Sequence, residues 1–119
     1  METDKKFIDQ EFLREITGGD DELLTELVTL FVRDLPHYRQ SMNQSIADGN
    51  RLRFNQLAHK FRSSLNSLAM LGAAQALHEM ENDGRSLDGT FMVRLTDLFQ
   101  GIGRGVTILG EQLEQNITE

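Results

Sequence analysis

The chain has 119 residues, with 12 Lys or Arg against 19 Asp or Glu and a formal net charge of −7, so it lacks the basic footprint of a general nucleic-acid binder. It has no cysteine, which excludes disulfides, thiolate zinc sites and thiol catalysis. Met1–Lys6 holds no apolar signal core, and no stretch approaches the roughly 20 apolar residues that span a bilayer. The expectation is therefore a cytoplasmic location, with no membrane and no nucleic acid among the partners. Hydrophobic residues make up 39% and charged residues 26%, as in a soluble globular chain. A single domain over 1–119 is expected, large enough for its own core, with residues 1–7 and 115–119 frayed.

The chain has one proline, helix formers dominate, and no alternating β-branched runs occur, so the fold class is all-α. A short first helix is expected over Ile8–Ile16, with Asp9 as a possible N-cap and Phe12, Leu13 and Ile16 as its apolar side. Thr17-Gly18-Gly19 ends it. Asp20 or Asp21 caps a long second helix with a stripe of Leu24, Leu27, Val28, Phe31, Leu35, Tyr38, Met42 and Ile46. Pro36 lies inside that stripe and predicts a kink rather than a stop, because the pattern resumes after it. Ala47-Asp48-Gly49-Asn50 is the next turn.

The third helix, about Arg51 to Leu68, has two opposed faces. Phe54, Leu57, Ala58, Phe61, Leu65 and Leu68 form the apolar stripe, while Asn55, Gln56, His59, Arg62, Ser63 and Asn66 are polar at the same spacing. A short connection follows at Ala69–Gly72. The fourth helix runs to about Glu81 with Ala73, Ala76, Leu77 and Met80 inward. The clearest loop spans Asn82 to Gly89. The fifth helix carries Phe91, Leu95, Leu98, Ile102 and Leu109, widened by Phe99 and Val106, and is weakened by Gly101, Gly103, Gly105 and Gly110. Either packing holds it or it breaks near Gly103, and the tail from Gln112 is expected to fray. Helices two to five are read as an antiparallel four-helix bundle, with the first helix as a short N-terminal extra across one end.

A lone histidine on a helix is ordinarily structural or incidental, and His37 and His78 are read as surface residues. His59 stands apart because it lies on the wet face with Arg62 one turn later and Ser63 beside it. A neutral imidazole is a nucleophile near neutral pH, and a guanidinium at i+3 suits phosphate oxygens. Arg51, Arg53, Lys60 and Arg62 form a basic cluster set against the acidic whole, though an ordinary solvated face would look the same. No Walker motif is present, and Gly101-x-Gly103-x-Gly105 lies in a helical pattern, so the chain has no visible ATP site. No converging ligand set for a metal is apparent.

Ala58-His59-Lys60-Phe61-Arg62-Ser63-Ser64 resembles the signature of histidine-phosphotransfer (HPt) domains of multistep phosphorelays, roughly A-H-x-L-K-G-S/A-S/A. Gly18–Leu24 and Leu30–Pro36 also look like the family's second helix. The resemblance implies that His59 accepts a phosphoryl group from the aspartate of a receiver domain and passes it to another receiver. It places Arg62 at the family's usual lysine, Phe61 at its apolar position and Ser63 at its usual glycine, with Lys60, Ser63 and Gln56 as further supporting residues. The chain would then be a monomeric phosphocarrier rather than an enzyme, with no cofactor of its own and Mg²⁺ on the partner receiver. A hybrid histidine kinase is a second possible partner. Glu81, where the family often keeps a polar residue on the next helix, is a candidate for orienting the imidazole, set against a plain solvated helix end. The family's glycine ten positions after the histidine is replaced by Ala69. A Leu71-Gly72-Ala73 triplet comes slightly later, so either the connection there is longer or that glycine is absent. The starting methionine and polar tail are expected of a free-standing chain rather than a piece of a hybrid kinase. The alternative function is a helical adaptor that binds receivers or kinases without being phosphorylated.

Overall fold

The structure is a computed structural model that describes residues 10–84 and 87–118. Among the described residues, five helices follow one another: α1 Gln10–Thr17, α2 Asp21–Ala47, α3 Arg51–Ser67, α4 Leu71–Glu81 and α5 Gly89–Thr118. There is no strand among the described residues. α2, α3, α4 and α5 pack each against the next and α5 closes back on α2, while α1 lies on α2. This is the antiparallel four-helix bundle with a short extra helix that the periodicity predicts.

Local chemistry sets the helix ends. Asp20 Oδ1 accepts from the amides of Glu22 (3.0 Å) and Leu23 (3.2 Å) at the start of α2. Asn50 Oδ1 caps the amide of Arg53 at α3 (3.0 Å), and Asp88 Oδ1 caps Thr90 and Phe91 at α5 (3.0 and 3.2 Å). These bonds satisfy amides that have no partner inside the helix. Ile8 and Asp9 lie outside the described residues, as do the side chains of Phe12 and Ile16. Leu13 is buried as expected, and Thr17 closes α1 by donating its hydroxyl to the Leu13 carbonyl (3.0 Å).

α2 and α3 end in the same way. The amide of Asn50 reaches the Ser45 carbonyl (2.8 Å) and that of Gly49 reaches Ile46 (3.0 Å); the amide of Met70 reaches Leu65 (2.9 Å) and that of Ala69 reaches Asn66 (3.0 Å). Such double bonds need a left-handed residue between them. Gly49 supplies it with φ 65° and Ala69 with φ 57°. The connection after α3 is therefore short: Ala69 itself takes the left-handed conformation usually left to glycine, and α4 begins at Leu71, one residue before Gly72.

α2 is one helix through Pro36. The proline removes the usual donor to the Val32 carbonyl, and both residues are exposed, where water can serve instead. α5 is also unbroken across its glycines and continues to Thr118, past Gln112, where fraying was expected. Packing resolves the question of a break, since Leu98, Phe99, Ile102, Leu109 and Leu113 are all buried along it. In α4, Ala74 is buried together with Ala73, Leu77 and Met80, whereas Ala76 is only partly covered.

Phe61 of α3 sits between Phe31 of α2 (centroids 5.9 Å) and Phe99 of α5 (5.4 Å), with Tyr38 at 4.7 Å. A second lock closes one end of the bundle. Arg51 donates to the carbonyls of Met80 (3.2 Å) and Asp83 (2.9 Å), and its guanidinium lies over the Phe91 ring at 4.8 Å. Arg94 covers the same ring at 5.4 Å and pairs with Asp83 at 2.8 Å. Arg51 therefore belongs to this lock and not to the basic cluster that the sequence suggests.

Phe61→Ala is expected to destabilise the fold by about 3–5 kcal/mol, as truncation of a buried aromatic does; an unchanged melting temperature would contradict this. Arg51→Ala is expected to cost about 2–3 kcal/mol through lost charged hydrogen bonds and the cation–ring contact, read as a lower urea midpoint at constant slope.

Candidate functional site

The exposed face of α3 follows from the burial of the other. Phe54, Leu57, Ala58, Phe61 and Leu65 are all at most 5% exposed, so His59, Lys60, Gln56 and Ser63 fall outside. Ala58 is completely buried. Its small side chain lets α3 sit close to its neighbours beside the histidine.

The structure brings Arg62 to His59. Arg62 Nη2 lies 3.0 Å from His59 Nδ1. A guanidinium has no acceptor, so arginine donates and Nδ1 accepts. The same Nη2 donates to Glu81 Oε1 across the α3–α4 interface (3.4 Å), and Arg62 Nε is 2.5 Å from Glu81 Oε2. That closer contact is an ion pair and not a directed hydrogen bond, because neither atom finds an aligned partner. The Arg62 side chain is 23% exposed and that of Glu81 11%. Arg62 is therefore not simply a cation on the wet face, and of the two readings of Glu81 the solvated helix end does not hold. Glu81 also stands 4.0 Å from Nδ1 of His78, which is itself exposed.

The other expected residues lie elsewhere around the ring. Gln56 and Lys60 line an open groove of about 350 Å³ between α2 and α3, together with Asp34, His37, Tyr38, Arg53 and Leu57. Ser63 is exposed, and its carbonyl accepts from the Ser67 hydroxyl (3.0 Å). The basic cluster thus divides. Arg51 locks the bundle end, Arg62 pairs with Glu81, and Arg53 and Lys60 remain as exposed cations along the groove. Leu52 was not singled out from the sequence. It is 69% exposed and stands about two turns before His59 on the same face. The available signal was a leucine outside the apolar stripe.

Among the described residues, no group of three or more His, Cys, Asp or Glu is placed to hold a metal ion, and no helix is long and apolar enough to cross a membrane. What the face offers is a solvent-accessible imidazole with one nitrogen engaged, flanked by cations.

Comparison with known proteins bears on the family and the fold. The family model described as Hpt domain matches residues 26–105, from early α2 to the middle of α5. Among solved structures, the chain is similar to the HPT domain of the Hpt sensor hybrid histidine kinase from Shewanella, with a TM-score of 0.73 at 10% identity. The match covers 92% of this chain and 96% of that one; at such identity it shows the shared fold. No curated protein gives a significant match. The family match spans α3 and its exposed histidine within the bundle expected for such a domain, and the chain belongs to the Hpt domain family.

Proposed function

We propose that His59 is the phospho-accepting residue of a phosphorelay carrier, taking a phosphoryl group from a receiver-domain aspartate and delivering it to another receiver. The observation that carries this reading is the exposed His59 ring on α3, held at Nδ1 by Arg62 within the Ala58–Ser64 motif. Because Nδ1 is engaged, Nε2 is the nitrogen left for the phosphorus.

In the transfer, Nε2 gives up its proton to solvent as Nδ1 takes one up, and the freed Nε2 lone pair attacks in line. The P–O bond to the aspartate breaks, and its electron pair stays on the released carboxylate. The reaction depends on positioning and on balance of charge over the phosphoryl oxygens. Arg62 and Lys60 supply positive charge, and Gln56 and Ser63, one turn to either side of the histidine, border the space the phosphoryl group enters. Mg²⁺ belongs to the docked receiver, and the carrier contributes no cofactor and no ATP site. The exposed Leu52 gives a docking receiver an apolar contact beside the site. The chain acts as a monomeric cytoplasmic carrier, with a hybrid kinase as a further partner.

The test is transfer from a receiver pre-charged with labelled phosphate. Wild-type protein is expected to take acid-labile, base-stable label, and His59→Gln none, with its helical circular dichroism unchanged because the site lies on the wet face. Binding of receivers without any label on the wild type would assign the adaptor function instead.

A further inference from the structure

Given phosphotransfer at His59, the reading on which this inference rests, the arrangement of Glu81, Arg62 and His59 bears on how the phosphoryl group is held. An arginine on a helix surface ordinarily samples many rotamers. Here the Glu81 carboxylate, at the end of α4, holds the Arg62 guanidinium through Nε and Nη2, and that same Nη2 donates to His59 Nδ1 at 3.0 Å. Nδ1 must therefore present its lone pair. A neutral imidazole carries one N–H, so the proton resides on Nε2. We propose that Glu81 is a positioning residue that, through Arg62, decides which ring nitrogen bears the proton and thereby slows phosphoryl exchange at His59 until a partner docks.

The same hydrogen bond acts on both directions of transfer. To gain a phosphoryl group, Nε2 needs a lone pair for the new N–P bond. In the observed tautomer that position holds the proton, which must leave while Nδ1 takes one up, at the site Arg62 occupies. Once phosphorus is on Nε2, Nδ1 releases the proton it had taken up to solvent, and its restored lone pair again accepts from Arg62. To lose the group, the N–P bond breaks with its electron pair going to Nε2. A P–O bond forms to a receiver carboxylate, or to water, which releases its proton to solvent. The ring departs readily as neutral imidazole when Nδ1 is protonated, and poorly as an imidazolate anion when it is not. Arg62 keeps that proton away. A docked receiver that draws the guanidinium onto the phosphoryl oxygens removes the restraint.

The experiment compares wild type, Glu81→Ala and Arg62→Lys after circular dichroism has shown native helicity. Imidazole ¹⁵N shifts are read on unphosphorylated protein at about pH 8.5, above the ordinary imidazole range. The hydrolysis half-life of phospho-His59 is then measured after labelling with phosphoramidate. Wild type is expected to show an unprotonated, hydrogen-bonded Nδ1. Both variants should shift Nδ1 toward the average of two tautomers and shorten the half-life several-fold. Arg62→Lys keeps the charge without the planar fork, so it separates positioning from charge alone. Unchanged shifts in Glu81→Ala would overturn the proposal, as would a half-life that stays the same or lengthens because the guanidinium is released onto the phosphoryl group. Failure of phosphoramidate to label His59 would overturn the restraint on exchange together with the phosphotransfer reading. That outcome is distinguishable, because the ¹⁵N comparison does not require phosphate.

Discussion

The Phe61 ring fixes the rotation of α3, and much else depends on that rotation. It lies between Phe31 and Phe99 with Tyr38 against it, so three of the four bundle helices meet on one side chain. Stacked aromatic pairs add about 0.5–1.5 kcal/mol each beyond the area they bury, and any turn of the helix about its axis would break all three contacts. Residues along a helix are spaced about 100° apart, so His59, two positions earlier, is carried to the far side. The His59 imidazole is exposed because the phenyl ring is not.

A second constraint acts along the bundle. Arg51 and Arg94 enclose Phe91, Arg51 holds the carbonyls of Met80 and Asp83, and Arg94 pairs with the Asp83 carboxylate. These contacts tie the start of α3 and the start of α5 to the last turn of α4, which is where Glu81 stands. Glu81 in turn holds Arg62, and Arg62 holds the imidazole. Core packing therefore sets the orientation of α3, and the end lock sets the placement of the carboxylate that reaches across to it. The site depends on both.

Much of this architecture was legible in the sequence, because periodicity and capping are local properties. Every member of the apolar stripe from Phe54 to Leu68 is buried, and Asp20, one of the two candidate residues, caps α2. The turn after α3 was harder to read, since alanine rarely takes a positive φ. Buried Ala69 adopts φ 57° because the paired bonds that close α3 require a left-handed residue there. The continuity of α5 was also undecided. Its glycines argue for a break, and only the burial of Phe99, Ile102 and Leu109 against other helices outweighs them.

At the site, the sequence singled out His59 as the candidate phospho-acceptor and determined which face it occupies. An apolar repeat leaves the intervening positions to solvent, and the Ala58–Ser64 motif lies wholly within one helix. Tertiary structure decided the fate of the charges. Arg51, Arg53, Lys60 and Arg62 look alike as a cluster on one segment. Yet Arg51 turns to the bundle end, Arg62 to Glu81, and only Arg53 and Lys60 remain along the groove. An ion pair between two helices depends on their relative height and rotation. Those are set by how whole faces pack, which no local stretch of sequence encodes.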